Sequence, residues 1–140
     1  MTGGKRIARL LVFGVVAAGF LFRLPAARAD AAGTNLSPAA AREMIGERAG
    51  TPGFVLLDVR TPGEYRSERI DGAVLVDYNS GNFRSELRAL DREKTYLVYC
   101  RTGNRSNGAL KVMREEGFRN LYHLEGGIVK WKEAGLPTQK

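Results

Sequence analysis

Cys100 is the one thiol in the chain, and it opens the run Cys100-Arg101-Thr102-Gly103-Asn104-Arg105-Ser106. A free thiol ionises near pH ~8.5, and neighbouring arginines or a helix N-terminus favour the thiolate, which is the nucleophilic form. Arg101 and Arg105 bring full positive charges, and the amides of residues 101–106 bring partial ones at the head of a helix. The same donors would hold a small anion. The run therefore suits a thiolate nucleophile and an anionic substrate together. Position alone leaves an inert cysteine at a strand end open as well, since free cysteines are commonly buried.

A strand and a helix must position this loop. The β-branched and aromatic run Tyr96 to Tyr99 predicts a buried strand that delivers Cys100 at its end. A helix is expected to start near Arg105, with Ala109, Leu110, Val112 and Met113 as its apolar stripe and Gly117 as its stop. Asp58 ends another predicted strand and is expected to cap a turn or to pair with a nearby arginine. Arg60 and Glu64 stand four residues apart, which predicts pairing with each other or with adjacent loops. Glu125 precedes Gly126-Gly127 and is a candidate to orient the Cys100 loop. His123 lies inside an apolar run without a second histidine or a thiol partner, so it is expected to be a core residue. No metal site and no cofactor are implied.

From Phe54 to Leu136 the chain resembles a single rhodanese domain. The resemblance is carried by Leu57-Asp58-Val59-Arg60 with Gly63-Glu64-Tyr65, then Ile70-Asp71-Gly72-Ala73 and the Cys100 to Ser106 run. Glu116-Gly117-Phe118 and Leu124-Glu125-Gly126-Gly127 with Trp131 complete it. It implies an α/β fold with a central parallel sheet, and sulfur transfer through a persulfide on Cys100. Arg101, Thr102, Gly103, Asn104, Arg105 and Ser106 would then bind the substrate, with Asp58, Arg60, Glu64 and Glu125 in support. The expected donor is thiosulfate or a similar small sulfur anion. The expected acceptor is a thiol, a protein or, in an assay, cyanide.

Two other readings stand beside it. Cysteine-dependent phosphatases and arsenate reductases use Cys-x5-Arg, but here that sixth position is Ser106 and the arginine arrives one residue early, at Arg105. The tighter loop suits a sulfane sulfur better than a phosphoryl group, whose three oxygens each need donors. A non-catalytic rhodanese-like sulfur carrier or binding module is the other reading. Such modules usually lack the cysteine, so Cys100 argues against it.

The 140 residues hold one domain at most. The net charge of +7 is concentrated at the start: Lys5, Arg6, Arg9, Arg23 and Arg28 precede the first acid. Removing those five from 22 basic residues leaves 17 against 15 acidic ones, a net of +2. No basic patch with interleaved aromatics remains for nucleic acid. Residues 1–29 read as a signal peptide. Lys5, Arg6 and Arg9 form its positive region, Leu10 to Phe22 its 13-residue apolar stretch, and Ala27-Arg28-Ala29 its site, with cleavage expected before Asp30. The apolar stretch is short for a span of about 20 residues, although Arg23 keeps an uncleaved N-terminal anchor open. No cysteine follows for lipid attachment, and no twin-arginine pair is present. A periplasmic or secreted protein, free of the membrane after cleavage, is expected.

Residues 30–36 are expected to be a flexible lead-in, with the domain proper at 37–140. Ser37-Pro38 should open a helix running to Gly50. Strands are predicted at Phe54–Val59, Ala73–Val76 and Leu121–Leu124. Short helices are predicted after Thr61-Pro62, at Phe83–Leu90 and at Ile128–Ala134. Strands alternating with helices predict a parallel sheet covered by helices on both faces.

Overall fold

The computed structural model describes residues 33–140. The expected signal segment and its cleavage site before Asp30 lie outside the described residues. Ten elements follow in order: β1 Thr34–Leu36, α1 Pro38–Arg48, β2 Phe54–Asp58, α2 Pro62–Ser67 and β3 Val74–Leu75. Then come α3 Phe83–Arg88, β4 Thr95–Tyr99, α4 Asn104–Glu115, β5 Asn120–Leu124 and α5 Gly127–Glu133. The strands form one sheet in the order β1-β5-β4-β2-β3, and every pairing is parallel.

β4 is the middle strand and is covered on both faces. Its alternation splits the core in two: Tyr96 and Val98 join Leu87, Ala109, Leu110 and Met113 beneath α3 and α4. Leu97 and Tyr99 turn to the other layer, against Ala41, Ile128 and Trp131 of α1 and α5. A strand with both faces buried reads as a continuous apolar run, as Tyr96 to Tyr99 does.

Local chemistry sets the helix starts. Ser37 Oγ accepts from Ala40 N–H at 3.2 Å, with Pro38 next to it in the first turn of α1. Thr61 and Glu64 form a reciprocal capping box on α2. The helix starting at Pro38 ends at Arg48, short of Gly50, and α4 starts one residue earlier than Arg105.

One expectation needs correction. Residues 34–36, placed in a flexible lead-in, form β1 and pair with Tyr122, His123 and Leu124. Three mostly exposed residues carry no periodic apolar signal. Their order comes from backbone bonds to β5, continued by Glu125 N–H donating to Leu36 O at 2.9 Å. The folded domain thus begins ahead of residue 37.

At the end of β2 a charged pair is buried. Arg60 Nη2 lies 2.6 Å from Asp58 Oδ2, and the two side chains are 5% and 0% exposed. Arg60 Nε and backbone N–H also donate to the same carboxylate, and Nη2 donates to Glu68 O past the end of α2. Removing one partner leaves the other charge buried without its counter-ion. Asp58→Ala is therefore expected to lower unfolding free energy by about 3–5 kcal/mol, measured by urea denaturation. The paired replacement Asp58→Leu with Arg60→Met should recover most of that loss. A loss below ~1 kcal/mol for Asp58→Ala would show that water reaches Arg60 after all.

Candidate active site

β4 ends by placing Cys100 at the carboxyl edge of the sheet, where α4 begins. The residue is 1% exposed. Gly103 N–H donates to Sγ at 3.0 Å, and Ser106 Oγ lies 3.3 Å away. Burial pushes the thiol up, but the Ser106 hydroxyl and the amides of Ser106, Gly103 and Thr102 together outweigh it, and the thiol sits below its ordinary value. The sequence folds this way because Gly103 has φ +112, which lets the chain turn sharply into α4 and aim its own amide at the sulfur.

Three contacts hold the loop from outside. Ile128 N–H donates to Cys100 O at 2.9 Å and Val129 N–H to Arg101 O at 3.1 Å, so the start of α5 takes up the carbonyl of Cys100 and that of the next residue. Gly127 makes that approach possible: its φ is +61, and a Cβ there would overlap the carbonyls of Cys100 and Arg101. From α2, Glu64 grips Arg105 through two bonds of 2.7 and 2.9 Å. The guanidinium of Arg105 is the main cause that lowers the Glu64 carboxyl to about 2, with help from Thr61.

The remaining predicted residues fall as follows. Arg60 and Glu64 do not pair with each other: Arg60 turns inward to Asp58, as an arginine partner expected for that aspartate, and Glu64 turns to Arg105. Arg101 is exposed and borders a cleft of about 330 Å³ with Arg60, Glu64, Glu68, Ile128 and Lys132. Thr102 and Asn104 are exposed and line a second, polar cleft of about 220 Å³ with Asn35, Asn107, His123 and Glu125. Glu125 is exposed and meets this cleft rather than gripping the loop through its carboxylate.

Sequence reasoning missed two residues. His123 Nε2 lies 2.6 Å from Ser106 Oγ, and its Nδ1 lies 3.0 Å from Asn35 Oδ1. His123 is buried, but its ring borders the thiol loop rather than plain core. A signal for it existed: His123 and Leu121 are two apart on β5, and Leu121 packs with α4, so period-two alternation turns the imidazole toward the same helix. Asn35 carried no comparable signal, because 88 residues separate it from His123.

Residues 37–134 match the family model described as a rhodanese-like domain, and the chain belongs to that family. It is 42% identical over 86 residues to an uncharacterized protein of Synechocystis, covering 61% of this chain and 47% of that one. It is 39% identical over 84 residues to a probable adenylyltransferase/sulfurtransferase, MoeZ, of Mycobacterium tuberculosis, covering 60% of this chain and 21% of that protein. The chain thus spans less than half the length of these curated relatives. Among solved structures, a rhodanese-related protein of Thermoplasma volcanium superposes with a TM-score of 0.65 at 30% identity, over 76% of this chain and 97% of the other. A Rhodopseudomonas palustris protein of unknown function, described as a possible tyrosine phosphatase, superposes at 0.62 with 26% identity, over 79% and 88%. The domain has the rhodanese-like fold, with a buried cysteine where β4 gives way to α4.

The Glu64–Arg105 clamp has a pH signature. A carboxyl lowered on folding contributes stability that is fully present above its unfolded value near 4.5 and disappears as pH falls toward about 2. Urea midpoints of the wild type are expected to drop through that window. In Glu64→Gln the drop should be shallower, and stability at neutral pH lower. An unchanged acid slope in Glu64→Gln would show the clamp to be energetically idle.

Proposed function

We propose that the protein is an exported thiosulfate sulfurtransferase. The Cys100 thiolate attacks the outer sulfur of thiosulfate. A bond forms between Sγ and that sulfur, the sulfur–sulfur bond of thiosulfate breaks, and its electron pair leaves with sulfite. A second nucleophile (a thiol, a protein persulfide acceptor or, in an assay, cyanide) then takes the outer sulfur and releases the thiolate. Two separate half-reactions predict ping-pong kinetics.

The observation that carries this reading is the division of labour in the loop. Sγ is served by the Gly103 amide and the Ser106 hydroxyl, while Arg105 is engaged at both ends of its guanidinium by Glu64. Phosphoryl chemistry in such loops needs an arginine free to embrace equatorial oxygens. An arginine already held bidentately leaves room for a smaller sulfur instead. Arg101 is the cation open to the arriving anion, on the cleft it shares with Arg60 and Lys132. The likeness to a possible tyrosine phosphatase makes aryl phosphate the right counter-substrate. The proposed compartment rests on the basic and apolar pattern of residues 1–29.

Cys100→Ser is expected to abolish thiosulfate:cyanide activity while circular dichroism stays that of the wild type. Arg101→Ala should reduce kcat/KM for thiosulfate by roughly 10- to 100-fold, corresponding to about 1–3 kcal/mol for a charge-assisted contact. Sulfur transfer surviving in Cys100→Ser would take the thiol out of the mechanism. Unchanged kcat/KM in Arg101→Ala would leave anion binding to the amides alone.

A further inference from the structure

His123 is the one histidine in the sequence, is 4% exposed, and has no part in the sulfur-transfer steps above. Yet each ring nitrogen has a polar partner, and one of those partners touches the nucleophile. The chain of contacts runs from Cys100 Sγ to Ser106 Oγ at 3.3 Å, then to His123 Nε2 at 2.6 Å, and from Nδ1 to Asn35 Oδ1 at 3.0 Å. Four residues from β1, β5, the thiol loop and α4 thus form one line. We propose that His123 is a positioning residue that accepts the Cys100 proton through the Ser106 hydroxyl, with Asn35 holding its ring in the accepting tautomer.

The hydrogen positions are consistent along the whole line. The Asn35 carbonyl oxygen can only accept, so Nδ1 carries the ring proton and Nε2 of the neutral ring is left as an acceptor. The Ser106 hydrogen then has two acceptors in reach, Nε2 at 2.6 Å and Gly103 O at 3.0 Å. The shorter contact wins it. That leaves the Ser106 oxygen free to accept from the Cys100 thiol. On ionisation the Sγ–H bond breaks and its proton passes to Ser106 Oγ, while the Ser106 proton passes to Nε2. Sγ keeps the electron pair. The products are a thiolate, an unchanged serine and an imidazolium whose Nε2–H points back at Ser106, and charge is conserved. The hydrogen that Ser106 now carries came from Sγ and lies on the side of the new thiolate, so Ser106 donates to it.

The surroundings keep the ring ready for that step. Burial lowers the imidazole and the carboxylate of Glu125 raises it, with burial the larger cause, so the resting ring is neutral near neutral pH. Glu125 on the loop after β5 is the charged group that bears on it. β1 offers Asn35, β4 offers Val98 in register, and the loop and α4 offer Gly103, Ser106 and Asn107, none of them charged. The imidazolium is thus stabilised chiefly by the thiolate it creates.

This inference rests on Cys100 being the reacting thiol, and its test separates the two. With the full chain, thiolate is followed by absorbance at 240 nm against a Cys100→Ser blank, and persulfide formation from thiosulfate is timed across the same pH series. In His123→Gln and in Ser106→Ala, thiolate content and rate at about pH 6 should fall about 10-fold or more, while at about pH 9, where bulk base takes the proton, they should approach wild type. Asn35 is exposed, so Asn35→Asp serves as a variant with little folding risk. Its carboxylate beside Nδ1 should favour the imidazolium and raise thiolate at about pH 6. Profiles superimposing on wild type, or an equal loss at every pH, would overturn the relay. A wild type with His123-dependent thiolate that takes no sulfur would overturn the sulfurtransferase reading and leave the relay standing.

Discussion

A negative charge on Cys100 Sγ, which the proposed sulfur transfer requires, sits in a place that water hardly reaches. Taking an ion out of water costs several kcal/mol even after the protein relaxes, and hydrogen bonds to a charged group return about 1.5–3 kcal/mol each. Two or three donors are therefore enough to balance the burial, and one is not. The loop meets this with the Gly103 amide, the Ser106 hydroxyl and the amides of Thr102 and Ser106. Everything else at the sheet edge serves to keep those donors aimed at one point.

The aiming depends on long-range contacts as much as on the loop. α5 holds the carbonyls of Cys100 and Arg101, and it can do so only because Gly127 has no Cβ to strike them. α2 holds Arg105 from the opposite side through Glu64, whose carboxylate also closes the capping box that starts α2. Beneath both, the buried Asp58–Arg60 pair ties the end of β2 to the end of α2. Contacts from α2, α5 and the end of β2 thus converge on the short turn between β4 and α4 and hold it in place.

The parts of this arrangement that were legible in sequence are those written in local pattern. The run from Tyr96 to Cys100 carries its own burial signal, and the capping residues Ser37 and Thr61 mark their helices. Partner choice was not legible. Arg60 and Glu64 have the spacing of a pair, but each finds a better-buried or better-oriented partner in Asp58 and Arg105. β1 escaped notice because three exposed residues owe their order to β5 rather than to their own composition. His123 looked like core because its apolar neighbours were visible and its contact with Ser106, 17 residues away in sequence, was not.

The proposed sulfur transfer requires Cys100 to take one sulfur. Thiosulfate added to the purified full chain without any acceptor tests that most directly, with sulfite and intact mass measured together. One equivalent of sulfite per chain and one added sulfur, both lost in Cys100→Ser, are the expected result. With no second cysteine in the sequence to resolve it, the persulfide should persist until cyanide or a thiol is supplied. Release of no sulfite and no gain in mass, alongside hydrolysis of an aryl phosphate, would contradict the account and point to phosphoryl chemistry at the same thiol.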